Sequence, residues 1–133
     1  MDRLIIPRHI FDGMVAHCRA GLPDEACGIL AGTGSEVAVL YTMTNADPSP
    51  VSYLMEPGEQ LTAFRDMREK GMQMLAVFHS HPQSPAYPSA KDQSLAFYED
   101  SLYVIVGLAE GEPVVKAFSL RGGEVAETPL VVR

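Results

Sequence analysis

The sequence predicts an α/β fold, a mixed sheet with helices packed on it, on two observations. Segments with apolar residues at helical spacing intermix along the chain with short runs of strand length. One of those runs, Met74 to Phe78, is apolar throughout, as in a strand buried on both faces. The 133 residues fit one domain, 1–133. A domain of this size buries roughly two thirds of the surface its unfolded chain exposes, so a core forms without disulfide or metal staples.

Arg8 to Ala20 reads as a helix: Ile10, Phe11, Met14, Val15 and Cys18 share one face, Pro7 precedes it and Gly21 stops it. Cys27 to Leu30 and Val37 to Met43 read as strands joined by the turn Gly32-Thr33-Gly34-Ser35. Asn45 to Pro50 is a loop, and Val51 to Met55 a short extended piece. Glu59 to Lys70 reads as a helix with Leu61, Phe64 and Met67 inward and Gly71 as its stop. After the buried strand, Pro82, Pro85 and Pro88 make a stiff, extended loop. Ser89 to Glu99 reads as a helix, and Leu102 to Leu108 and Val114 to Leu120 as strands. Gly122-Gly123 turns the chain into a last strand, Glu124 to Val131.

The formal net charge is −7, which argues against nucleic acid or an anionic membrane as partner, since neither has a basic stripe to bind. Two cysteines, Cys18 and Cys27, are too few for a disulfide framework and form no Cys-x-x-Cys pair. No apolar stretch has the length of a secretory signal or a membrane span. The expected setting is a reducing cytoplasm.

Chemistry concentrates in His79-Ser80-His81-Pro82 and Ser89-Ala90-Lys91-Asp92. Two imidazoles and a carboxylate are what a catalytic zinc ion takes as protein ligands, leaving the fourth tetrahedral position to water. His79 and His81 end the buried strand and, two apart, point to one side, while Ser80 points to the other. Asp92 falls in the first turn of the next helix. Ser89-x-x-Asp92 also reads as a capping box, although Glu or Gln is the usual third residue; Ser89 can cap the helix while its hydroxyl reaches the site. His9 and His17 lack such partners and read as helix-surface residues. Glu25, in Pro23-Asp24-Glu25-Ala26-Cys27-Gly28, stands just before a strand. Alone it is a solvated turn carboxylate; beside a zinc site it is a candidate general base.

Glu25 together with HSHPQSPAYPSAKD resembles the JAMM/MPN+ metalloprotease pattern: an upstream Glu, then His-x-His-Pro, six residues, Ser, two residues, Asp. EACGIL, the Asn45 loop and the apolar strand before His79 also fit. The resemblance implies a cytidine-deaminase-like α/β/α sandwich holding one Zn2+ per chain on His79, His81 and Asp92. It makes Glu25 the general acid/base and Ser89 a stabiliser of the tetrahedral oxyanion. The chain has no room for the insertions with which larger relatives grip ubiquitin and looks like the minimal prokaryotic form. Such forms are similar to hydrolases that cut after the C-terminal Gly-Gly of ubiquitin-like or sulfur-carrier proteins, releasing cysteine or another amine. An extended tail would pair with a strand edge such as Tyr53 to Glu56.

Two rival functions are a non-catalytic MPN scaffold and a metallopeptidase of small peptides. The intact ligand set with Glu25 argues against the scaffold. The deaminases' Cys-x-x-Cys signature is absent, which disfavours deamination. Leu120-Arg121-Gly122-Gly123 spells the tail of ubiquitin but lies between apolar runs, where a hairpin turn is expected. Cys27, in an apolar strand, reads as a small core residue.

Overall fold

The structure is a computed structural model that describes all residues, 1–133. Its elements are β1 (Leu4–Ile6), α1 (Arg8–Ala20), β2 (Cys27–Thr33), β3 (Glu36–Met43), α2 (Pro57–Glu69), β4 (Gln73–His81), α3 (Ala90–Ser94), β5 (Leu102–Gly107), β6 (Val114–Arg121), β7 (Glu124–Thr128) and β8 (Leu130–Val132). The strands form one eight-stranded mixed sheet in the order β7-β6-β5-β4-β2-β3-β1-β8. β4 and β5 run parallel, as do β1 with β3 and β1 with β8; the remaining pairs are antiparallel.

Side-chain alternation explains the layering. Leu30 of β2, Ala76 and Phe78 of β4, and Leu102, Val104 and Val106 of β5 enter one apolar cluster. Ile29 and Ala31, Val77, and Tyr103 and Ile105 enter another on the opposite face. α1 covers the first face with Ile10, Met14, Val15 and Cys18. α2 covers the second with Ala63 and Met67. The central strands are therefore buried on both sides, as the apolar run in β4 predicts.

Close approach between β2 and β4 depends on a missing side chain. A Cβ at Gly28 would lie 2.3 Å from Cε2 of Phe78 and 2.4 Å from the Tyr41 carbonyl oxygen, so only glycine fits. One residue away, Cys27 stands opposite His79.

The structure corrects several expectations. The last strand is not continuous from Glu124 to Val131: it breaks at Pro129, so that β7 pairs with β6 while β8 pairs with β1 at the other edge. Leu4–Ile6 is a strand, absent from the sequence expectation because three residues carry no periodicity and its partner β8 lies at the far end of the chain. The helix expected over Ser89 to Glu99 ends at Ser94. α2 begins at Pro57, two residues before the expected start, and Leu61 points outward while Ala63 and Met67 face the core. His17 is not a surface residue: it is half-buried, donates from Nε2 to the Cys27 carbonyl (3.1 Å) and sets its ring edgewise to Phe78. Gly122 and Gly123 both take positive φ (58° and 78°) between β6 and β7, confirming the hairpin turn. Cys27 is fully buried, as expected of a core residue. No helix is long and apolar enough to cross a membrane.

Candidate metal centre

β4 stays buried to its last residue, His81, and the chain must then cross over to β5 because the two strands are parallel. The site lies at this strand end. β4 runs past the apolar run through both His79 and His81, which end the strand as the sequence predicts, and both imidazoles project from one face. Between them Ser80 points away and accepts, through Oγ, the N–H of Ala26 (2.9 Å). That bond ties the strand end to the residue after Glu25.

Asp92 enters from α3. Ser89 caps this helix, its Oγ accepting the Asp92 N–H (3.0 Å) and its own N–H donating to Asp92 Oδ2 (2.9 Å). The capping box is therefore real, with an aspartate in the third position. It turns the carboxylate toward the strand: Oδ2 lies 3.2 Å from His79 Nε2 and 3.0 Å from His81 Nε2. The two Nε2 atoms are 3.1 Å apart. The edge of a zinc tetrahedron with bonds of about 2.05 Å measures about 3.3 Å, so the three atoms have the spacing of one triangular face.

The protonation pattern points to a cation as well. His81 Nδ1 lies 2.7 Å from the Pro85 carbonyl oxygen. That oxygen only accepts, so Nδ1 carries the hydrogen and a neutral ring turns the lone pair of Nε2 toward Asp92. A lone pair and a carboxylate at 3.0 Å need a proton or a metal between them. Burial alone would raise the Asp92 pKa, but the His79 and His81 rings beside the carboxylate and the Ser89 N–H pull it well below the usual carboxylate range. Burial pushes His79 down. It acts the same way on His81 but is outweighed there by Asp92 and the Pro85 carbonyl, which hold that ring's pKa up. His79, His81 and Asp92 thus form a group that could hold a metal ion.

Glu25 is not a solvated turn residue. It is 4% exposed, Oε1 has no hydrogen-bond partner, and burial pushes its pKa up to about 7 despite the favourable charge of His81. A carboxyl poised near neutrality, facing the charges of His81, Asp92 and Lys91, suits proton transfer.

The sequence singled out the Asn45 loop and the Tyr53 to Glu56 edge, but not two contacts that these segments make at the site. The Tyr53 ring stacks on His79 with centroids 4.7 Å apart and planes at 24°. Beyond it lies a cavity of about 230 Å³ whose walls include Tyr53, Leu54, Lys91, Asp92, Leu95 and Phe97. Leu54 and Phe97 are strongly exposed at its rim. The second is that of Asn45, whose amide makes four hydrogen bonds around the site. In the sequence the Asn45 loop reads as turn chemistry and the Tyr53 segment as a free edge, with no signal for the ring stacking or the amide bonds.

A strand-borne His-x-His pair, closed by an aspartate from the next helix beside a buried glutamate, gives this α/β protein a three-residue group that could hold a metal ion. The chain belongs to the family described as prokaryotic homologs of the JAB domain, matched over residues 7–121, a span that holds Glu25, His79, His81, Ser89 and Asp92. It is 38% identical over 132 residues to the CysO-cysteine peptidase of Mycobacterium tuberculosis, covering 97% of this chain and 90% of that one. It is 37% identical over 130 residues to a probable TtuB-protein conjugate cleaving protease of Thermus thermophilus, covering 97% and 82%. Among solved structures it resembles protein DSY2949 of Desulfitobacterium hafniense at TM-score 0.89 and 42% identity, covering 98% and 92%. The fold is also that of a structure described as JAMM, a metalloprotease-like zinc site in the proteasome and signalosome (TM-score 0.59, 21% identity, covering 96% and 97%).

Proposed function

We propose that this protein is a zinc-dependent hydrolase that cuts the amide or isopeptide bond after the C-terminal Gly-Gly of a ubiquitin-like or sulfur-carrier protein, with cysteine among the amines released. The observation that carries this reading is the convergence of His79 Nε2, His81 Nε2 and Asp92 Oδ2 at 3.0–3.2 Å beside a buried, partnerless Glu25 carboxyl. The layering, a helix on each face of a mixed sheet, reads as cytidine-deaminase-like, and two reduced, buried cysteines suit a cytoplasmic setting.

His79, His81 and Asp92 would hold the ion. Bound there, zinc supplies Lewis acidity and lowers the pKa of water to about 7. Glu25 takes a proton from the attacking water and returns it to the departing nitrogen, a task its raised pKa fits. The Ser89 hydroxyl accepts the Asp92 N–H, so its own hydrogen is free to donate to the oxyanion of the tetrahedral intermediate. The tail lies along Tyr53–Met55. One edge of this segment is taken, Leu54 O accepting from Ala46 N and Glu56 N donating to Thr44 O, while the backbone N–H and C=O groups of Tyr53 and Met55 have no backbone partner. An extended peptide adds there as a strand, and glycines pass where side chains would clash.

The names of the M. tuberculosis and T. thermophilus relatives support the substrate class. The test is to incubate the zinc-loaded protein with a carrier-protein–cysteine adduct and follow intact mass, comparing Gly-Gly with Gly-Val tails. We expect loss of the added residue from the Gly-Gly adduct and a large fall in kcat/KM for Gly-Val. Equal values for both tails would reject tail recognition and favour a small-peptide metallopeptidase. Binding of the carrier without cleavage would favour a scaffold.

A further inference from the structure

One side-chain amide joins three parts of the site. Asn45 is half-buried between β3 and α2. Its Nδ2 donates to the carbonyls of Glu25 (3.0 Å) and Ser52 (3.1 Å). Its Oδ1 accepts the N–H groups of Asp47 (3.0 Å) and Leu54 (3.0 Å). Two donors and two lone pairs exhaust what a primary amide offers. The surroundings also fix its orientation: two carbonyls lie on one side and two N–H groups on the other, so a flipped amide would set like against like four times.

Each partner leads to a working part of the site. Glu25 donates its own N–H to Ser49 O (2.8 Å), so the loop grips the Glu25 residue at both backbone groups. Ser52 and Leu54 flank Tyr53, the residue whose ring stacks on His79. Bonds to the Ser52 carbonyl and the Leu54 N–H pin the backbone on either side of that ring. The same segment carries the N–H and C=O groups of Tyr53 and Met55 that have no backbone partner. No other side chain in the structure contacts both the Glu25 backbone and this segment through hydrogen bonds.

We propose that Asn45 is a positioning residue that sets Glu25 and Tyr53 at fixed places relative to His79, so that the carboxyl, the imidazole and the peptide edge act as one unit. The role rests on the reading of Glu25 as the acid/base of a hydrolase. Asn45 touches neither substrate nor reacting atoms; it acts through the backbone. Misplacing a reacting group by about 1 Å costs on the order of a hundredfold in rate, whereas ground-state binding of a long tail is spread over many contacts and suffers less.

Asp is the discriminating replacement. Asn45→Asp keeps the acceptor for Asp47 and Leu54 but replaces the donor with an oxygen that faces two carbonyls. Asn45→Ala removes all four bonds. The experiment measures zinc content, melting temperature, and kcat and KM on the adduct that the parent cleaves, in the full chain. It also records two signals in the metal-free protein: the ¹³C shift of the Glu25 carbonyl, and the ring-current shift that Tyr53 imposes on the carbon-bound ring protons of His79.

We expect Asn45→Asp to stay folded and to bind zinc. Its kcat should fall by about tenfold to a hundredfold with a smaller change in KM. The Glu25 carbonyl should move toward the shift of an unbonded carbonyl, and the His79 ring-current shift should shrink. Asn45→Ala should do the same with a lower melting temperature. Parent-like kcat in Asn45→Asp, or a loss carried wholly by KM, would overturn the proposal, as would unchanged NMR signals. If the parent itself cleaves no adduct while the two NMR signals still collapse in Asn45→Asp, the positioning role stands and the substrate reading fails.

Discussion

Glu25 carries the cost of being buried without a partner, and that cost depends on pH. Its pKa is raised from 4.5 to about 7, so between those values the folded protein holds a proton that the unfolded chain has released. Stability therefore falls as pH rises from about 4.5 to about 7 and stays lowered above that. The shift corresponds to roughly 3 kcal/mol, an upper figure. Glu25→Gln should remove the charge, so the metal-free variant should melt higher than the metal-free parent at pH 8 and together with it near pH 4.5. In the zinc form the same variant should keep its metal and lose about 10²–10⁴-fold in kcat. Melting curves at the two pH values check the first statement and steady-state turnover the second; a Gln variant that turns over like the parent removes Glu25 from the reaction. Ser89 has two separable duties. Loss of the cap in Ser89→Ala should cost about 1 kcal/mol. Loss of the oxyanion donor should lower kcat by about 10²–10³-fold with little change in KM. Earlier melting with normal turnover would leave only the cap. The five residues of the motif were legible because their types and spacing are unusual together. The contacts of Asn45 and Tyr53 were not, because they depend on which distant backbone groups and rings the fold brings to them.

Elements were legible where pattern and length agreed. α1, with Pro7 before it and Gly21 after it, and β4, with its apolar run, fall where the sequence puts them. The helix expected from Ser89 to Glu99 shrinks to five residues, with none of its own buried, because its start is fixed by the Ser89 cap and its end by the crossover to β5. What it preserves is the one turn that aims Asp92. Sequence also gave no hint of the tight spot at Gly28, which reads simply as a glycine in a strand. There the Phe78 ring fills the space that a Cβ would take, beside the pairing of Cys27 with His79. Gly28→Ala should therefore push β2 from β4, costing roughly 1–3 kcal/mol. It should also weaken metal binding, since His79 sits in the displaced register. Equilibrium unfolding in urea and a zinc competition titration measure the two effects. A variant with parent stability would mean that Phe78 gives way freely.

At the scale of the whole molecule the sheet bends back on itself. Eight strands at about 4.8 Å spacing would separate flat edges by more than 30 Å. Yet the outermost strands, β7 and β8, are joined through Pro129 alone, so that Thr128 and Leu130 lie at most about 7 Å apart. The sheet must wrap around α1, and this explains why one unbroken strand was expected where two edges meet. β8 closes the wrap. Leu130 packs against the cluster that holds Leu4 and Ile6, and the backbone of 129–133 bonds Leu4, Ile6 and Arg8. Removing residues 130–133 would strip a half-buried leucine and several hydrogen bonds and leave β1 held by β3 through one register pair. The loss is on the order of 2–4 kcal/mol, lowering Tm by about 10 °C in a chain of this size. The metal group should survive, because β4 lies four strands from β8 and takes its ligands from the other half of the sheet. The truncated chain should thus melt earlier but bind zinc with parent affinity at 25 °C. Loss of zinc affinity in a chain that is still folded at that temperature would show that the wrap, and not only the strand end and the Ser89 turn, shapes the site.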